Sequence, residues 1–193
     1  DLSAFYFDIR KDSLYCDCVN STTRRSTRTL LDEIFNCLTA WLAPFICFTA
    51  EEAWLMRNKG DEESVHLREF PEIPKNWRDD ELSNKWTKIR QLRRVVTGAL
   101  EIERMEKRIG SSLQSAPVIY TNAVYRESLS SLDEKELADL FITSGISFSN
   151  AKSPPNAFKL DDVPGVSVTP ELAQGKKCER CWKVLRDVGS NKN

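Results

Sequence analysis

Apolar side chains recur every three or four residues along the stretch Thr29–Trp54, at Leu30, Leu31, Ile34, Phe35, Leu38, Trp41, Leu42 and Phe45. That spacing gathers them on one face of an α-helix and predicts a buried stripe. Ser21, Thr22 and Thr23 offer N-caps for this helix. Pro44 has no backbone donor and disfavours helix in the residue before it, so the helix should end or kink near Ala43. Thr49-Ala50-Glu51-Glu52 reads as a capping box, which starts a second helix at about Ala50 and carries Ala53, Trp54 and Leu55 inward. Before these helices, residues 1–20 hold the cluster Phe5, Tyr6 and Phe7 and read as an irregular packed segment. After them, residues 58–79 contain Gly60, Pro71 and Pro74 and read as a long connector, pinned by Leu67, Phe70 and Ile73.

A helical pattern returns from Asp80 to Ile109, with Leu82, Trp86, Ile89, Val96 and Leu100 on the buried stripe, Leu92, Val95 and Met105 flanking it, and Gly110 as a stop. The pattern then changes. Ala116–Thr121, Ile146–Ser149 and Val166–Thr169 are strand candidates by β-branched content and alternation. Ser131-Leu132-Asp133-Glu134 reads as a capping box for a helix through Leu137, Leu140, Phe141 and Ile142 that Gly145 ends. The prediction is a mainly α chain in which a small α+β unit at about 111–174 follows the helices.

Composition narrows the picture. The chain has 193 residues, enough for one domain or two small ones, and a formal net charge of −1, so any surface for nucleic acid has to be local. No run of eighteen apolar residues is present, which argues against a membrane span. The opening DLSAFYFDIRKD lacks the basic start and apolar centre of a signal peptide and, beginning without methionine, reads as mid-chain sequence. Of the six cysteines, Cys37 and Cys47 lie in apolar helical sequence and are expected as buried free thiols; a cytoplasmic, reducing setting follows. His66, the single histidine, lies in the connector and is expected to be structural or solvated.

Two helices concentrate positive charge. Arg24, Arg25 and Arg28 fall in the first turns of the central helix, where cations oppose the helix dipole and so want a reason. Between Lys85 and Arg108 eight cations, Arg90, Arg93 and Arg94 among them, face three carboxylates. Such clustering is either a phosphate footprint or a solvated face with ion pairs such as Glu103–Lys107 and Glu101–Arg104. The sharpest local signal is Cys178-Glu179-Arg180-Cys181-Trp182-Lys183. A C-x-x-C turn presents two thiolates to one metal, half of a tetrahedral zinc site. The other half would be a second pair some 12–20 residues on, but the twelve residues after Cys181 hold neither Cys nor His. A redox pair would want a thioredoxin-like βαβ setting, which is missing. Trp182, flanked by Arg180 and Lys183, can stack on an unpaired base while the cations meet phosphates, or it can pack its own turn.

Six stretches in order, FYFDIRKDSLYC, LAPFICFTAEEAW, SVHLREFP, KRIGSSLQSAPVIY, LFITSGI and KCERCWKV, resemble bacterial isoleucyl-tRNA synthetases over essentially the whole chain. Two departures from the family stand out: Gln114 where an acidic residue is usual, and the absent second cysteine pair. The resemblance implies a helical-bundle anticodon-binding domain at 1–109, a junction domain at 111–174, and at 175–193 the first half of a zinc ribbon, expected to be mobile. It implies that Cys178 and Cys181 are zinc ligands and that Trp182 approaches the anticodon loop of tRNA. Arg180, Lys183, Arg24, Arg25, Arg28, Arg90, Arg93 and Arg94 are electrostatic candidates for the same partner. Class I synthetases activate amino acids with a His-x-Gly-His signature and a Lys-Met-Ser-Lys-Ser loop. One histidine cannot supply the first, and Met56 and Met105 are followed by Arg57 and Glu106, so neither is present. Use of ATP and magnesium would belong to a catalytic domain, and proofreading to an editing domain, both elsewhere in a longer, monomeric parent. Two rival readings remain: a zinc-ribbon DNA-binding module, and a helical scaffold that binds no nucleic acid.

Overall fold

A computed structural model describes residues 2–60 and 63–190. Helix outweighs strand, as the periodicity requires. The chain divides into two compact units, one of residues 13–78 and one joining 1–12 to 79–193.

The opening segment is regular rather than irregular: a π-helical turn, Leu2–Phe7, precedes the short helix α1, Lys11–Tyr15. Helix α2 spans Thr22–Leu42, its N-cap Ser21 accepting from the amide of Arg24, and it closes on Ala43 ahead of Pro44. Helix α3 spans Cys47–Leu55. The Thr49 capping box does not form: the N-cap is Ile46, without a side-chain bond. Glu51 instead accepts from the amide of Val65 (2.8 Å) and the hydroxyl of Ser64 (3.1 Å), tying the connector to α3. Val65, not Leu67, Phe70 or Ile73, is the buried pin; the last three are exposed.

The core of this unit is small, comprising Ala43, Ala50, Trp54 and Val65, with Phe35 stacked on Trp54 at 6.2 Å. It covers only part of the expected stripe on α2. Leu30, Trp41, Leu42 and Phe45 stay exposed, and the α2–α3 corner presents Phe45 (81 % exposed) and Phe48 (92 %). Cys37 is buried, but Cys47 sits on this open corner and is exposed.

The second unit is built on α4, Asp80–Met105, capped by Asp79, which accepts from the amide of Leu82. Asp80 and Glu81 in its first turn complement the helix dipole. The inward face is Ile89, Leu92, Val95, Val96, Ala99 and Leu100, so Leu92 and Val95 are central, while Leu82 and Met105 are exposed. Gly110 is not the stop. Helix α4 ends on Glu106, and Lys107 takes a left-handed conformation (φ 57°). Gly98, mid-helix, has its own reason: a Cβ there would lie 2.8 Å from the ring of Phe158.

Against α4 packs a sheet of β1 (Val118–Thr121), β2 (Ser147–Ser149) and β3 (Val166–Thr169). Its order is β2-β1-β3, β1 running parallel to β2 and antiparallel to β3, with Ile119 opposite Phe148 and Val168. Two helices complete the layer, α5 (Ala123–Leu129), which the sequence pattern missed, and α6 (Glu134–Phe141). The capping box of α6 is Asp133 with Glu136, two residues later than expected, and its stop is Ile142 in a left-handed conformation rather than Gly145. Beyond Gly175, a two-stranded hairpin of β4 (Lys176–Lys177) and β5 (Val184–Leu185) closes the described chain.

Candidate nucleic-acid interface

The hairpin carries the cysteine turn. Gly175 is required at its base: it has φ 129°, and a Cβ there would meet the carbonyl oxygen of Leu185 at 2.1 Å. Lys176 pairs with Leu185 and Lys177 with Val184. Across the turn the amide of Cys178 donates to the carbonyl of Lys183 (2.8 Å), and that of Trp182 to the carbonyl of Cys178 (2.9 Å). Backbone amides of Cys181 and Arg180, and the Cys181 thiol, hydrogen-bond the Cys178 sulfur and pull its pKa below the ordinary thiol value. Burial pushes the Cys181 thiol up. The pair presents two sulfur donors supported by N–H···S bonds. This donor set fits half of a tetrahedral zinc site. Among the described residues no group of three or more His, Cys, Asp or Glu side chains could hold a metal.

Trp182 follows with φ 65° and is 62 % exposed. The ammonium of Lys177 stands 5.5 Å from its ring centroid, and Arg180, two residues earlier in the turn, is exposed. An exposed aromatic face with a cation over it is a kind of surface on which an unpaired base can stack.

Lys183 is different. Only 7 % exposed, its ammonium pairs with Asp139 of α6 and with Asp12 of α1 (3.5 Å). Burial works against its charge, yet the two carboxylates together raise its pKa above that of an ordinary lysine. The amide of Val184 donates to the hydroxyl of Ser144 (2.6 Å). These contacts tie the hairpin to the unit at Lys183 and Val184; 191–193 lie outside the described residues. Lys183, expected to meet phosphates, is turned inward. Asp12, Asp139 and Ser144, which hold it and its neighbour, carry no local sequence signal, because their roles arise from contacts forty or more residues apart in the chain.

The basic appearance of α4 also largely dissolves. Arg93 donates to the carbonyl of Leu140 (2.7 Å) and lies 3.9 Å from Asp8; burial lowers its pKa and Asp8 partly restores it. Arg90 and Arg93 both sit over the ring of Phe5, at 5.1 and 5.3 Å. Arg94 pairs with Asp162 (2.7 Å), and Arg104 with Glu101 (3.2 Å). Glu103 pairs with Arg108, not Lys107. On α2, Arg24 reaches back to the carbonyl of Asp17 (2.8 Å), which explains a cation at a helix start. Arg25 and Arg28 are exposed and make no ion pair among the described residues.

Residues 1–120 match the model of the family described as the anticodon-binding domain of tRNA ligase. The chain belongs to that family. Over 99 % of its length it is 51 % identical to the isoleucine–tRNA ligase of Agrobacterium fabrum and 54 % identical to that of Brucella abortus. It is 51 % identical over 98 % of its length to the isoleucine–tRNA ligase of Ruegeria pomeroyi. The chain spans 19 % of each relative's length. The anticodon-binding family segment takes in α2 and α4, whereas the cysteine hairpin lies beyond it, inside the span shared with the ligases. No helix among the described residues is long and apolar enough to cross a membrane.

Proposed function

We propose that this chain is the tRNA-gripping portion of an isoleucine–tRNA ligase. The carrying observation is the match of residues 1–120 to an anticodon-binding domain, within a chain about half identical throughout to isoleucine–tRNA ligases. In this reading Trp182 stacks on an unpaired base near the anticodon, with Lys177 and Arg180 meeting adjacent phosphates. Arg25 and Arg28 form a second cationic contact, and Arg90, Arg93 and Arg94 serve the fold. Residues 111–174 are a junction domain between the anticodon-binding part and a zinc ribbon. Cys178 and Cys181 supply two of four zinc ligands, the others coming from further polypeptide; the metal fixes the turn and does no chemistry on substrate. ATP-dependent joining of isoleucine to tRNA, with its magnesium, and editing occur in other domains of the same cytoplasmic, monomeric parent.

The test is titration of the chain with isoleucine tRNA, valine tRNA and a duplex DNA of equal charge at two salt concentrations. Binding that favours isoleucine tRNA and weakens as salt rises is expected, because phosphate contacts release counterions. Equal affinity for the DNA would favour the DNA-binding module, and no salt-dependent binding at all would favour the scaffold.

A further inference from the structure

We propose that Lys183 is a positioning residue: its ammonium, seated between Asp139 and Asp12, locks the cysteine hairpin onto the α+β body so that Trp182 is aimed outward without any metal. The local cations divide sharply. Lys176, Lys177 and Arg180 are exposed, and Lys183 alone is buried. Trp182, in the left-handed position of the turn (φ 65°), and Lys183 directly precede β5, and the two differ sharply in exposure: Trp182 is open to solvent and Lys183 is buried. Seating Lys183 on Asp139 and Asp12 fixes the backbone directly after Trp182, so the lock holds the turn from which the indole projects. An ammonium taken from water and held by two carboxylates fixes geometry more than it adds stability. Asp139 stands on α6, whose N-terminal capping box and buried Leu137, Leu140 and Phe141 make it a firm anchor. The Val184–Ser144 bond places a second tie one residue on. All these ties run to the protein body and none passes through the thiols.

The role of the aimed Trp182 rests on the RNA reading above, but the lock is testable apart from it. The experiment is amide hydrogen exchange on the whole chain, with and without EDTA, for the parent, Lys183→Arg, and the double variant Lys183→Met/Asp139→Asn. The double variant removes charge from both sides of the pair, so that it leaves one fewer unpaired buried group than Lys183→Met alone. In the parent, EDTA is expected to leave exchange at Val184 and Cys178 unchanged. In the double variant those amides should exchange roughly tenfold faster or more, with Leu92 and Val95 unaffected, and Lys183→Arg should keep most of the protection. Parent amides released by EDTA would mean that metal seats the hairpin, and equal protection in the double variant would mean that the pair does not; either overturns the proposal. General loss of protection, at Leu92 and Val95 too, would overturn it by making the pair a fold determinant rather than a lock. Isoleucine tRNA binding separates the two readings: the double variant should weaken it as much as Trp182→Gly does, and combining them should add nothing. If Trp182→Gly leaves tRNA binding intact, the base-stacking role fails while the exchange result stands.

Discussion

Trp182 holds a backbone conformation that suits glycine, at φ 65°. A residue with a Cβ loses about 1–2 kcal/mol there, and nothing in the turn requires an indole. Strain kept at an exposed aromatic points to use. Trp182→Gly should therefore fold at least as stably as the parent in urea titration while losing about 1–3 kcal/mol of tRNA affinity. A variant that is both less stable and fully competent in binding would reverse the assignment. Glu103 supplies a case governed by pH. Hydrogen bonds from Arg108 (Nε at 2.6 Å) hold its carboxyl below the usual carboxylate range. Its folded pKa lies under the unfolded value of about 4.3, so the pair's contribution is present above that pH and is lost as pH falls through the folded pKa. Arg108→Ala should raise the Glu103 midpoint in an NMR titration; an unmoved midpoint would show that the pair is not formed in solution. At this scale the sequence was partly legible. The C-x-x-C turn and the exposed indole announce themselves by residue type and spacing. The inward turn of Lys183 does not, because the carboxylate that decides it is forty-four residues away, a separation no local pattern records.

Capping shows what elements reveal and hide. Pro44, which has no N–H to donate, follows the end of α2, although Ala43 before it keeps helical angles (φ −51°, ψ −41°), and Ser21 caps the start. Two candidate boxes shared the S/T-x-x-E type of pattern, yet neither formed as read. At Thr49, helix begins three residues early, and Glu51 is engaged by the connector. At the second, Asp133 displaces Ser131 because its carboxylate reaches the amide of Glu136 (2.7 Å) while Glu136 reaches back to the amide of Asp133 (2.9 Å). Asp133→Ala should cost about 0.5–2 kcal/mol in chemical denaturation, and Ser131→Ala and Thr49→Ala each less than about 0.5 kcal/mol. A larger loss at Thr49 than at Asp133 would restore the sequence-based assignment. The α4 stripe was legible as helix but misphased at its ends. Periodicity finds an apolar face, whereas which turns of it are covered depends on the sheet and on Phe158, whose ring also dictates a glycine at position 98.

At the scale of the whole molecule, the two units are unequally built. One core joins Ile9, the six inward residues of α4, all three strands' layer and helices α5 and α6, with Phe141, Ile89, Leu92 and Leu100 almost wholly shielded from water. The other is a cluster of Ala43, Ala50, Trp54 and Val65 and leaves Phe45 and Phe48 in solvent. The two clusters share no residue. Since local opening free energy follows the apolar area that opening exposes, residues 13–78 should exchange amide hydrogens through openings of lower free energy than α4 does. Within that smaller unit Trp54 is the keystone: its ring stacks on Phe35 and carries Arg68 at 3.8 Å. Its indole N–H also donates to the carbonyl of Glu63. Trp54→Ala removes about 3–5 kcal/mol of packing by the usual cost of truncating a buried aromatic, more than so small a core can lose. Amides in α2 and α3 should then exchange at rates close to those of an unfolded chain, while Leu92, Val95 and Val96 keep their protection. The counterpart substitution, Leu92→Ala, should cost about 2–5 kcal/mol and loosen α4 together with the sheet. Protection lost throughout the chain on Trp54→Ala would show a single cooperative core, and protection unchanged in α2 would show that the helix does not depend on the tryptophan.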